Sequence, residues 1–364
     1  VGYGMFFDKS ANKAPVASVW KRVSLTAKSR LIHSILRFMK NYQSVLTGLT
    51  ALFLLMGQQL PGLAQRRPNT RFAPYSSVSF MAGSSHYYGE LAGYRQIIKS
   101  TFIMPRWNVG IGYSRQFTPN FAARATFTWA RISGDDYTFS KGNSSLFAAQ
   151  YARNLHFRND LKEFAVTGIY NLVADGRTPD RRAKLTPYIF GGLALLAHSP
   201  EARTPTATNN NNGEYEARKW VKLQPLRTEG QGQPGYDKPY SLVTMAIPVG
   251  FGMRYRLNDN FTIGGELGFR YTFTDYLDDV GGNYPSPEAV QGLGTIMSDR
   301  RFERDAARVN MDRYTVAQQL FTSNPDVFQT EVRGQKGTLQ DGYLLTQFSI
   351  QYIIPSKIKC PPIR

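Results

Sequence analysis

Between Phe261 and Phe273 the side chains alternate. Phe261, Ile263, Leu267, Phe269, Tyr271 and Phe273 fall on one side of the chain, and Thr262, Gly264, Glu266, Gly268, Arg270 and Thr272 on the other. A period of two belongs to a β-strand. The run is long for a globular strand, which usually has about five or six residues. Its polar side also carries an acid and a base in mid-strand. A tilted membrane strand needs roughly nine to eleven residues, apolar toward lipid and polar toward a lumen. That template constrains this chain more than any other feature.

The same alternation recurs along the sequence. It predicts strands near Tyr75–Ala82, Thr101–Phe117, Phe121–Arg131, Leu161–Leu172, Leu185–Leu196, Tyr240–Leu257 and Tyr343–Ile354, besides the run above. Pro248 predicts a bulge or a broken ladder bond. The connections alternate in length, and the long ones come first, third, fifth and seventh. Outer-membrane barrels alternate short periplasmic turns with longer external loops in this way. The expected fold is all-β: an eight-stranded antiparallel transmembrane β-barrel over residues 75–354, with long external loops and both mature termini periplasmic. Aromatic residues make up 13% of the chain, 21 of them tyrosine, which suits aromatic girdles. The mean hydropathy of −0.36 argues against a polytopic helical membrane protein.

Ahead of the barrel, Val45–Met56 is one apolar run, preceded by Met39-Lys40 and followed by Gly62-Leu63-Ala64. This reads as a secretory signal peptide over residues 39–64. Residues 1–38 then read as an over-extended gene model, 65–74 as an entry segment and 355–364 as a periplasmic tail. The formal charge of +18 shrinks accordingly. Residues 1–64 hold eight Lys or Arg and one Asp, leaving 36 basic and 25 acidic residues, or +11. No basic stripe or nucleic-acid motif organises them, so no nucleic-acid partner is expected. Cys360 is the one cysteine and has no internal partner for a disulfide.

An eight-stranded barrel is narrow and is filled by its own side chains. Inner-face glycines (Gly110, Gly112, Gly250, Gly252, Gly264, Gly268) leave room for larger neighbours. The charged groups expected in that space are Arg124, Glu163, Arg254, Arg256, Glu266 and Arg270, paired as a lumen network because buried charges need partners. Gly134, Asp135, Asp136, His156, Asp275, Asp278 and Asp279 are expected at the external rim, as hydrogen-bonding groups that loop arginines cap; oxygen clusters of this kind also suit calcium, but neither matches a calcium loop. No metal or cofactor is assigned. On the opposite side, Arg177, Arg181, Arg182 and Lys184 make a basic turn that reads as a periplasmic docking surface.

No catalytic set stands out. His86 and His156 lie near Ser84, Ser85, Ser144 and Ser145, and His198 has no evident acid partner. A surface-lipid hydrolase would need a serine and a histidine converging at the rim. A small-solute channel would need a wet lumen. These are the two alternatives to a non-enzymatic barrel embedded in outer-membrane lipid.

Several stretches carry a resemblance: RISGDD (131–136), RNLHFRNDLKEF (153–164), LTPYIFGG (185–192), LQPLRTEGQG (223–232) and GELGFRYTFTDYLDDVGGNY (265–284). They are similar to the Bacteroidota outer-membrane barrel family that includes PorG of the type IX secretion system. The resemblance implies a non-enzymatic structural or docking component of such a machine, with a periplasmic lipoprotein ring as partner. It implies no catalytic residues. The family's recurring positions here are Gly134, Asp135, Asp136, Asn154, His156, Arg158, Glu229, Gly230, Asp275, Tyr276, Asp278 and Asp279.

Overall fold

The computed structural model describes residues 72–92, 101–206, 215–334 and 340–354. The expected signal peptide, the leader before it, most of the entry segment, the C-terminal tail and Cys360 lie outside the described residues. Ten strands form one antiparallel sheet: β1 (Tyr75–Tyr88), β2 (Arg106–Gln116), β3 (Phe121–Asp135), β4 (His156–Asn171), β5 (Leu185–Ala197), β6 (Pro200–Arg203), β7 (Trp220–Lys222), β8 (Val243–Arg256), β9 (Phe261–Thr272) and β10 (Gly342–Ile354). Eight of them close on themselves. The order runs β3-β2-β1-β10-β9-β8-β5-β4, and β4 returns to β3. The β6–β7 hairpin extends from β4 outside the ring. Closure pairs every edge of the eight-stranded wall, which lipid requires.

Register explains the wall. Phe164 pairs with Phe127, Phe127 with Ile111, Ile111 with Phe80, Phe80 with Ile350, Ile350 with Ile263 and Ile263 with Tyr255. Cross-strand neighbours thus form one apolar band around the barrel. These side chains are left outside, Ile111 at 61% and Phe348 at 71% exposed, which in water would be a liability and in lipid is the burial. The other parity points inward and is buried: Ser77, Asn108, Thr128, Glu163, Thr262, Gln347.

Pro248 breaks the ladder without a bulge. It pairs in register with Arg270 on β9. On the β5 side the pairing lapses between Gly191↔Val249 and Ala194↔Ala246 and then resumes in the same register. Proline has no N–H to donate on that side. At Gly252 a Cβ would sit 2.5 Å from the Tyr188 hydroxyl, so the absent side chain makes room for that ring.

The short-turn end holds tight reversals. Asn258 accepts from the amides of Asn260 and Phe261 at 2.9 and 2.8 Å, an Asx turn that starts β9. At the other end β1, β3 and β4 run past their expected ends, to Tyr88, Asp135 and from His156. Polar cross-strand pairs sustain them there, as in Arg131 to Asp160 at 2.5 Å. Among the described residues the connections at this end carry regular structure. They hold the β6–β7 hairpin and five short helices: α1 (Asp136–Ser140), α2 (Ala148–Arg153), α3 (Leu293–Ser298), α4 (Tyr314–Ser323) and α5 (Asp326–Gln329). One apolar cluster, with Leu91, Ile132, Phe157, Leu277 and Tyr343, closes the barrel mouth. A second, with Tyr151, Ala306, Leu320 and Phe328, packs the helices together as a cap.

Candidate functional site

The lumen is crossed by two carboxylates. Arg124 on β3 donates to Glu266 on β9 at 2.7 and 3.3 Å, and Tyr188 donates to the same carboxylate at 2.9 Å. In the strand order β3 and β9 are four apart, so this pair spans the barrel from wall to wall. Glu163 on β4 accepts from Arg270 at 3.2 Å and from Tyr343 on β10 at 2.5 Å. Arg124 also lies 5.0 Å over the Phe190 ring. Full burial of these charges is offset by their partners. The structure does not bring Arg254 and Arg256 into this group. They sit at the short-turn end, Arg254 on the Asn171 amide oxygen and 4.8 Å over Tyr188, Arg256 on the Asp180 carbonyl and 3.8 Å from Asp259. Parity placed them inward correctly; their height along the barrel put them out of reach of Glu163 and Glu266.

The rim residues build the cap, and all but the half-buried Asp275 are buried. Asp135 caps α1 through the Thr138 amide and takes Arg308 at 2.9 Å. Asp136 takes Arg153 at 2.8 Å through both oxygens, and Arg153 reaches on to the carbonyls of Glu90 and Arg333. Asp279 accepts from Thr228 at 2.5 Å, Tyr240 at 2.7 Å and Arg333 at 3.4 Å. Arg333 also donates to Glu229 at 3.0 Å, whose carboxylate takes the amides of Gly281 and Gly282. His156 accepts from the Arg203 amide at 2.9 Å. Asn154, left-handed at φ 57°, binds the carbonyls of Arg300 and Asp305 and the amide of Ala307. A Cβ at Gly134 would lie 2.7 Å from the Leu91 carbonyl, so only glycine admits that crossing segment.

Sequence reasoning missed the partners. Arg153 ends the short helix α2, and Arg300, Arg308, Arg313 and Arg333 lie in irregular segments without periodicity, where only composition marked them. It also missed Tyr87, Glu90 and Asp341. Tyr87 Oη lies 2.7 Å from Asp278 and 2.6 Å from Asp341. One phenol has one proton, so one of these contacts is donated by a protonated carboxyl. Glu90, Asp278 and Asp341 each bring an oxygen within 4.8 Å of the others. Burial pushes Asp278 up to about 7, with Asp275 adding to it, and pushes Glu90 up to about 9, with Asp278 and Asp275 adding to it. Burial raises Asp341 as well. A cavity of about 690 Å³ lies beside this cluster, lined by Phe139, Phe147, Arg153, Tyr284, Val327 and Arg333 among others.

The hydrolase geometry fails at its third member. Ser84 Oγ and His86 Nε2 are 2.9 Å apart near the rim. Among the described residues no acid bonds the other ring nitrogen, Nδ1, so none orients the ring. His198 bonds the Ser241 carbonyl at 3.0 Å. At the short-turn end Arg182 is corrected. It is buried and donates to the carbonyls of Pro179, Asn258 and Asp259 and to Thr262, which ties two turns together. Arg177, Arg181 and Lys184 are exposed.

With the geometry in hand, the comparisons place the chain. No curated protein matches it. Among solved structures it is similar to Ail, the attachment invasion locus protein of Yersinia pestis, at 8% identity over 78% of this chain and 100% of that one, with a TM-score of 0.31. Neisserial surface protein A shares 9% identity over 77% and 98%, at 0.33, and OprG of Pseudomonas aeruginosa 6% over 79% and 100%, at 0.30. Scores this low carry no argument on their own. The expectation of a type IX secretion barrel is corrected: the family model that matches is described as a domain of unknown function and carries no secretion role. Nothing in the comparisons supports a lipoprotein ring as partner. What stands is an integral outer-membrane β-barrel with eight strands in its wall. A family model described as "Domain of unknown function (DUF6089)" matches residues 70–217 and 233–300, and the chain belongs to that family.

Proposed function

We propose that this barrel is a sealed anchor that displays its folded cap at the cell surface as a binding platform. One observation carries the reading: the lumen is bridged wall to wall by Arg124–Glu266 and by Glu163 with Arg270 and Tyr343. Solute passage would have to break buried ion pairs that cost several kcal/mol to open. The cap supports it further, because packed cores and buried arginine–carboxylate pairs fix its shape. Short turns at one end and long folded connections at the other support an orientation with both termini in the periplasm. The competing reading is a small-solute channel, which this lumen disfavours.

Surface display is tested with an epitope inserted at Asn209–Asn212 and a second at Arg177. Antibody on intact cells should reach the first and should reach the second only after the envelope is permeabilised. The reverse pattern would refute the reading.

A further inference from the structure

We propose that the short-turn end carries a basic collar that binds phosphate headgroups of anionic phospholipid. The collar is Arg115, Arg177, Arg181 and Lys184, all exposed and without an ion pair among the described residues. Two of them point at lipid. Arg115 continues the outward row of Trp107, Val109, Ile111 and Tyr113, and its guanidinium lies 6.0 Å over Phe117. Lys184 precedes outward-facing Leu185, and its ammonium lies 5.7 Å over Tyr255. Both rings belong to the exposed aromatic edge of the apolar band. A cation on such a ring sits at headgroup depth, with its stem along the apolar wall.

The two ends of the barrel differ in this respect. At the long-loop end two outward arginines are matched, Arg131 with Asp160 at 2.5 Å and Arg158 with Glu201 at 2.7 Å, and Lys162 on β4 is exposed without an ion pair among the described residues. At the short-turn end the exposed acids are Asp180 and Asp259, and Asp259 faces Arg256 at 3.8 Å. Unmatched cations at the depth of the headgroups call for an anion from outside the chain. The outward direction of Arg115 and Lys184 favours lipid phosphate over a macromolecule below the membrane. The inference uses the proposed orientation only to say which leaflet is involved. Its test uses symmetric liposomes, so it fails or stands independently of that orientation.

The test is boundary-lipid selectivity. The full chain is reconstituted in phosphatidylcholine, and spin-labelled phosphatidylglycerol is compared with spin-labelled phosphatidylcholine by electron paramagnetic resonance. The native barrel should favour the anionic label severalfold, less so in high salt. Replacing Arg115, Arg177, Arg181 and Lys184 together by Gln should bring the two labels level. Arg115→Glu alone should cut the preference in part, with folding of each variant verified by its gel shift on heating. No preference in the native barrel, or an unchanged preference in the folded fourfold variant, would overturn the proposal. So would sedimentation with cell-wall sacculi that Arg177→Gln and Arg181→Gln abolish while leaving the lipid preference intact.

Discussion

Glu266→Ala is the perturbation whose cost the structure fixes best. The carboxylate is buried with Arg124 at 2.7 Å, their side chains 4% and 9% exposed. Two unit charges at that distance attract by about 6 kcal/mol at an effective dielectric of 20. Desolvation of both ions opposes this. The net worth of the pair is therefore small, while the loss from removing one member is large, because Arg124 stays buried without its counter-ion. Such losses run to about 3–5 kcal/mol. The Tyr188 hydroxyl loses its acceptor as well, a further ~1 kcal/mol. The double variant Arg124→Met with Glu266→Leu removes both charges and should recover most of the loss. The assay is urea unfolding of the micelle-refolded barrel, followed by the fluorescence of Trp107 and Trp129 on the wall. A cost below about 1 kcal/mol for Glu266→Ala, or an equal cost for the double variant, would refute the reasoning.

Two further outcomes are expected. In the cap the carboxyls of Glu90 and Asp278 are raised to about 9 and about 7, and Asp279 to about 6, chiefly by burial. The folded cap then holds more protons than the open one, so its stability is full below about pH 4 and falls as pH rises to about 9. Hydrogen exchange of residues 274–334 should speed up over that range, and slower exchange at high pH would contradict it. Arg333→Met leaves Glu229 and Asp279 buried without their cation. It should destabilise the cap by about 3–5 kcal/mol, seen as protease cleavage within residues 284–334 while the barrel keeps its gel shift on heating; resistance equal to the native chain would count against this account.

How much was legible follows from what lipid imposes. A wall with hydrocarbon outside and side chains inside forces period two. The outward residues from Trp107 to Tyr113 and from Phe261 to Phe273 could therefore be read directly. So could the inward direction of Arg124, Glu163, Glu266 and Arg270. Pairing could not, because alternation fixes direction but not height or opposite neighbour; Arg254 and Arg256 were grouped with partners they never meet. Above the membrane the constraint lapses. The cap is held by arginines on backbone carbonyls, such as Arg313 on Tyr151 and Ala152, a pattern with no periodicity in sequence. The acidic pairs at Asp135-Asp136 and Asp278-Asp279 pointed to the right end of the barrel. Their role as internal ties of a folded cap depended on arginines far away in sequence. Arg182 misled for a related reason: its charge reads as surface, and its carbonyl partners across two turns are invisible without the fold.

The central claim is that this barrel is closed to solutes by its own side chains. Ion current across a planar bilayer holding the purified full-length protein measures that directly. The account predicts a flat baseline under moderate voltage in concentrated potassium chloride. Stable, ohmic current steps from the native protein would contradict it.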